Sequence, residues 1–167
     1  LAEAMAPLGG QADGDSVSFD RGPLSPFFFG TRAPSPTDRP ALFVHANGAQ
    51  SLSRVWIATD KPENVEAMAM RLGARFRSTI LCLVRCLPVR RAKLAQGELI
   101  LMPANAQGVP GHPIIGATVR VRDIATTRAL LKANGLPFGA QGVRDRGSSL
   151  IVPPALANGM WLEFSAR

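Results

Sequence analysis

One order of elements occurs twice in this chain, and that repetition limits the folds open to it more than any motif does. The first copy lies in Ser51–Met102. The strand-like SLSRVWIATD runs into the helix-like KPENVEAMAMRLGA, and two extended stretches around Arg77–Leu87 lead to the strand GELILMP. Pro62 at an early helical position, Glu63 and Glu66 in the first turns and Gly73 at the end mark the helix. Val65, Met68, Ala69 and Leu72 give it an apolar stripe at helical period. The second copy lies in Pro113–Arg167. There IIGATVRVRD is a strand and IATTRALLKANG a helix closing on Asn134-Gly135, followed by the strands PFGAQGVRD, SSLIVPP and GMWLEFSA. Each copy reads β-α-β-β-β. Such alternation excludes a plain sandwich, and tandem copies point to two units packed about a pseudo-two-fold axis.

The expected fold is therefore α+β, with paired βαβββ modules at 51–106 and 107–167 forming curved sheets around a cleft, together a domain at 45–167. Residues 1–44 read as the remnant of a preceding module, with a helix end at Leu1–Gly9, strands at SVSFDR and SPFFFGT, and a proline-rich linker, TRAPSPTDRP. A helix end and two or three strands make no core of their own. They must lean on the main domain or on a second copy of the chain, so a homodimer stays open, and Phe27-Phe28-Phe29 is the expected contact. A chain that starts inside a helix implies a lost beginning.

Charge narrows the partners. The formal net charge is +7, and between Arg71 and Lys93 stand Arg71, Arg75, Arg77, Arg85, Arg90, Arg91 and Lys93 with no acid among them. Such a segment attracts anions. No aromatic RNA-binding set, helix-turn-helix pattern or zinc-finger spacing accompanies it, and arginine outnumbers lysine throughout, as codon bias alone would produce. The reading is a solvated surface rather than a nucleic-acid site. No apolar run reaches the ~18 residues of a membrane span, and LAEAMAPLGG is a poor leader, so the expected location is cytoplasmic. Cys82 and Cys86 in ILCLVRC read as reduced thiols, because four residues along one strand is too far for a bridge.

The paired modules resemble the vicinal oxygen chelate superfamily of glyoxalase I, extradiol dioxygenases and bleomycin-resistance proteins. HANGA before a strand and the closing LIVPPALANGMWLEF are similar to its glyoxalase-like domain proteins. The resemblance covers about residues 20–167. It implies sheets enclosing a cleft where each module gives a His from its first strand and a Glu from its last to a divalent ion, which stabilises developing negative charge as a Lewis acid. In this pattern the His lies seven residues before an acid that begins the helix. Asp123 is that acid in the second module, which puts the position at Gly116; Lys61 is its equivalent in the first, which puts the position at Arg54. The last-strand positions fall at Glu163 and at Leu101, or Ile100 after a slip of one residue. One ligand of four remains, whereas open metal sites use about three. No metal and no cofactor are expected.

Strand alternation puts Arg54, Trp56 and Ala58 on one face and Trp161 with Glu163 on one face of the last strand. If these faces line the cleft, Arg54 replaces the metal as its cation and pairs with Glu163. The tryptophans then form a wall, and Arg120 and Thr118 come from a third corner. The candidate ligand-binding set is Arg54, Trp56, Arg120, Trp161 and Glu163. Equally open is a degenerate cleft in which the ion pair is only structural and the tryptophans are core. His45 precedes the turn signal Asn47-Gly48 and His112 is bracketed by Gly and Pro, so both read as turn residues. No nucleophile stands beside a base, and catalytic residues are unassigned. The leading expectation is a glyoxalase-like domain that binds a small oxygenated or carboxylate-bearing molecule. The alternatives are a divalent-metal lyase or dioxygenase with a non-standard ligand set, and a ligand-free module acting through assembly.

Overall fold

The structure, a computed structural model, describes residues 1–31, 33–109 and 111–166. The N-terminal part contains α1 (Ala2–Met5), a short 3-10 turn, and strands β1 (Gln11–Asp13), β2 (Ser16–Ser18) and β3 (Phe28–Phe29) in one small antiparallel sheet. The first module follows as β4 (Ala49–Thr59), α2 (Pro62–Arg71), β5 (Arg75–Cys82), β6 (Cys86–Lys93) and β7 (Glu98–Pro103). The second is β8 (Ile114–Val121), α3 (Ile124–Ala133), β9 (Arg144–Asp145), β10 (Ser149–Val152) and β11 (Trp161–Ser165). The fold is α+β, as the repeated order implies. β1 was not anticipated.

All eight strands of the two modules join one curled sheet in the order β5-β6-β7-β4-β8-β11-β10-β9. Each module pairs its first strand in parallel with its last, β4 with β7 and β8 with β11. The two first strands meet antiparallel at the centre, so the sheet reads alike from either end. The helix starts follow from local chemistry. Pro62 occupies the first turn of α2, where its missing N–H costs nothing. The Asp123 carboxylate accepts the Ala125 and Thr126 N–H groups at the start of α3. The hydrogen bond from the Thr126 hydroxyl, followed by those from the Thr126 and Ala125 N–H groups, holds the Asp123 carboxyl below its usual range. No helix among the described residues is long and apolar enough to cross a membrane.

The outer face of the first module is covered from two directions. Val65 and Met68 of α2 pack on Ile57 and Leu101, and so do Met5, Val17, Phe19 and Leu24 from the N-terminal part. Residues 1–29 thus lean on the chain's own main domain. The anchors are more widely spread than Phe27–Phe29, since Phe27 and Phe29 join this cluster at its edge while Phe28 is 76% exposed. On the second module α3 covers Val121, Val143, Leu150, Val152 and Phe164.

The two cysteines require a correction. Cys82 and Cys86 form a disulfide. They do not lie along one strand: they end β5 and begin β6 and face each other across the hairpin. The turn Leu83-Val84-Arg85 has none of the Gly, Asn or Pro that marks a turn, so the two extended stretches expected here carried no signal of where they part. A reducing cytoplasm would hold such a pair as thiols. The tip also closes the curl of the sheet. Arg144 of β9 donates from Nη1 to the Leu83 carbonyl at 2.6 Å, and Arg146 donates to the Cys82 carbonyl. Leu83 is thereby pressed into the interior.

Candidate functional site

Inside the curl, apolar side chains fill one end and charged ones the other. Trp56, Ala58, Leu83, Val89, Ile100, Met102, Ile115 and Ile151 form a buried cluster, with Leu81, Leu87 and Trp161 packed against it. Trp56 is 0% exposed. Its ring lies over Gly116, its partner across the β4–β8 pair. A Cβ at Gly116 would stand 2.8 Å from Trp56 Cε3 and 2.7 Å from the Trp161 carbonyl, so glycine is required by the close approach of ring and backbone.

At the other end the inward positions carry a connected polar network. The Trp56 indole donates to the Thr118 hydroxyl at 3.1 Å, and that hydroxyl donates to Glu163 Oε2 at 2.8 Å. Arg54 lies between two carboxylates, donating from Nη1 to Glu163 at 3.2 Å and from Nε to Glu98 at 2.8 Å. Arg91 donates to the same Glu98 oxygen. Burial pushes the Glu98 carboxyl up, but the hydrogen bonds and charges of Arg91 and Arg54 outweigh that and hold it below the usual carboxylate range. The relevant side chains are mostly screened, Arg54 being 23%, Glu98 18% and Glu163 13% exposed.

A cavity of about 460 Å³ opens onto this network. Arg54, Arg91, Lys93 and Arg120 line it with Glu98, Ser51 and Ser53. Of the five residues singled out in the sequence, Arg54 and Arg120 reach this cavity. Glu163 stands behind Arg54. Trp56 and Trp161 belong to the interior cluster and are not part of the cavity wall.

Glu98 is the residue that sequence reasoning missed. Parallel pairing sets Arg54 opposite Glu98 and Trp56 opposite Ile100. In the other module Glu163 lies opposite Thr118. Counted back from the helix caps Lys61 and Asp123, Trp56 and Thr118 take the same place, so Ile100 rather than Leu101 is the counterpart of Glu163. Glu98 shares the face of Ile100 by simple alternation, and that signal was present in GELILM.

The four positions do not suit a divalent ion. Arg54 is a cation, Ile100 is a buried hydrocarbon, and Gly116 offers no donor and no room for one. Glu163 is already engaged by Arg54 and Thr118. Among the described residues no three His, Cys, Asp or Glu side chains gather closely enough to hold a metal. His45 and His112 are exposed, and the His45 carbonyl accepts the Gly48 N–H in the expected turn.

The paired modules, with their first strands back to back in one curled sheet, are the fold of the vicinal oxygen chelate superfamily, and the chain has that fold. Methylmalonyl-CoA epimerase from Mycobacterium tuberculosis is similar with a TM-score of 0.51 at 19% identity, over 73% of this chain and 91% of that one. A Streptomyces coelicolor methylmalonyl-CoA epimerase aligns with a TM-score of 0.46 at 14% identity, over 70% and 93% of the two chains. A catechol 2,3-dioxygenase gives 0.45 at 11% identity, over 70% of this chain and 40% of that one. No family model matches the sequence, and no curated protein matches it.

Proposed function

We propose that the domain binds a small oxygenated or carboxylate-bearing molecule in the cavity lined by Arg54 and Arg120, with the Arg54 guanidinium standing where the resemblance implies a metal ligand. The observation that carries this reading is the convergence of Arg54, Arg91, Lys93 and Arg120 on one cavity. Glu98 and Glu163 neutralise two of the four charges, and Lys93 and Arg120 have no carboxylate partner among the described residues. A ligand carboxylate supplies what they lack.

The network gives the cavity a fixed receptor. Arg54 uses Nε on Glu98 and Nη1 on Glu163, which orients the guanidinium and leaves its Nη2 donors for a ligand. The Ser51 and Ser53 hydroxyls add neutral donors at the rim, although Ser53 is already donating to the Thr118 carbonyl. No nucleophile with an adjacent base lies in this wall, and we assign no catalytic residue. The tryptophans contribute from behind: Trp56 reports on the site through Thr118 and Glu163.

This reading is testable with the chain's two tryptophans. In nitrogen-15 spectra a panel of small mono- and dicarboxylates is expected to shift the Trp56 indole N–H resonance saturably. Arg120→Ser should weaken that response about tenfold, equivalent to roughly 1.4 kcal/mol, with the fold intact. A panel that leaves both indole signals in place would remove the proposal.

A further inference from the structure

A second cavity, of about 320 Å³, adjoins the first and shares Arg91, Lys93 and Glu98 with it. Its remaining walls are Arg75, Phe76 and Arg77. The β5–β6 register sets Arg75 opposite Lys93 and Arg77 opposite Arg91. Residues opposite one another share a face and stand ~4.5–5.5 Å apart at Cβ, and like charges so placed destabilise a sheet. The face is the inner one, because Leu81 and Val89 at the same alternation pack into the interior cluster.

Edge protection does not account for these pairs. β5 is an edge strand, and charge on an edge discourages pairing with other chains. That purpose needs cations on β5 alone, not matching cations on the internal strand β6. Glu98 is the one acid among the lining side chains and is already shared by Arg54 and Arg91. Arg75, Arg77 and Lys93 have no ion-pair partner among the described residues. Arg91 Nε is buried with no protein acceptor in reach. Four cations held face to face, with Glu98 the one carboxylate among them and already shared with Arg54, make a place for an anion of more than one charge.

We propose that the two cavities form one elongated site, in which Arg75, Arg77 and Lys93 bind a phosphoryl or diphosphoryl group of a ligand whose oxygenated end lies at Arg54 and Arg120. The ligand class is a phosphorylated small molecule, and the assignment of its other end rests on the carboxylate reading above. Lys93, common to both cavities, contacts the junction. The phosphoryl subsite is the part of the basic 71–93 segment that faces inward. Arg90 lies on the opposite face, where it pairs with Glu66 at 3.0 Å and stacks on Phe76.

The test is calorimetric titration of the full chain with inorganic pyrophosphate and, separately, with succinate. Pyrophosphate is expected to bind at one site, weakening steeply with added salt. The double variant Arg75→Ser/Arg77→Ser should lose at least tenfold in pyrophosphate affinity while succinate binding stays as it was. The unliganded variant should also melt no lower than the wild type at low salt, since the repulsion is relieved. Unchanged pyrophosphate affinity in the double variant overturns the proposal. So does a single-stranded oligonucleotide that binds more tightly with each added nucleotide, which would make the surface a nucleic-acid track. Pyrophosphate binding without any succinate binding would remove the carboxylate reading and leave the phosphoryl subsite standing.

Discussion

Trp56→Ala is expected to lower stability in urea denaturation by about 3–5 kcal/mol, the range for removing a fully buried tryptophan from a core. The indole belongs to the interior cluster and has no exposed surface. Trp56→Phe keeps most of that volume and gives up the hydrogen bond to Thr118, so its cost should be nearer 1 kcal/mol. Gly116→His belongs to the same experiment. It would place an imidazole where even a methyl group is too close to Trp56 and to the Trp161 backbone. Overpacking of this kind costs about 1–3 kcal/mol or more, and a combined Trp56→Ala/Gly116→His variant should tolerate the histidine better than wild type does. A loss below about 1 kcal/mol for Trp56→Ala would put the indole outside the core, and the closed interior would have to be abandoned.

The second large effect concerns Arg54. Arg54→Leu leaves Glu98 and Glu163 without the cation between them. Stranding a buried charge costs ~3–5 kcal/mol, and because these side chains keep some exposure and Arg91 still serves Glu98, about 2 kcal/mol is expected here. The pH dependence identifies the cause. The folded Glu98 carboxyl titrates below its unfolded value. Its ionised form therefore stabilises the wild type above the ordinary carboxylate range, and this stability is lost as pH falls through the folded value. Without Arg54 two of the influences that lower it disappear. The gap between wild type and variant should thus be widest near neutral pH and shrink as the solution is acidified. Adding Glu163→Gln should recover part of the loss. A gap that does not change with pH would mean that Arg54 acts by packing alone.

Much of this arrangement was legible in the residues. Repeated β-α-β-β-β order, Pro62 and the Asp123 cap locate the modules, and the resemblance, with its position counted back from Lys61, implies Arg54 beside Glu163, where the structure has it. What escaped depends on long-range geometry. Alternation says which face Trp56 occupies but not whether that face encloses space. The space is filled by Leu81, Leu83, Leu87 and Val89, brought across the interior by a hairpin whose turn carries no local signal. That hairpin also brings Cys82 to Cys86 and sets the cations of β5 against those of β6. Glu98 escaped for a different reason: the ligand position falls at Leu101 or, after a slip of one residue, at Ile100, and only from Ile100 does alternation carry the inward face to Glu98.

The proposed arginine-centred cavity is expected to take an anion without help from a metal. This is tested most directly by calorimetric titration of succinate into protein treated with a chelator, repeated with zinc, iron(II), manganese or nickel added. Saturable one-site binding of equal strength in every case is the predicted result. Binding that appears only with one of the metals, or none under any condition, would contradict it.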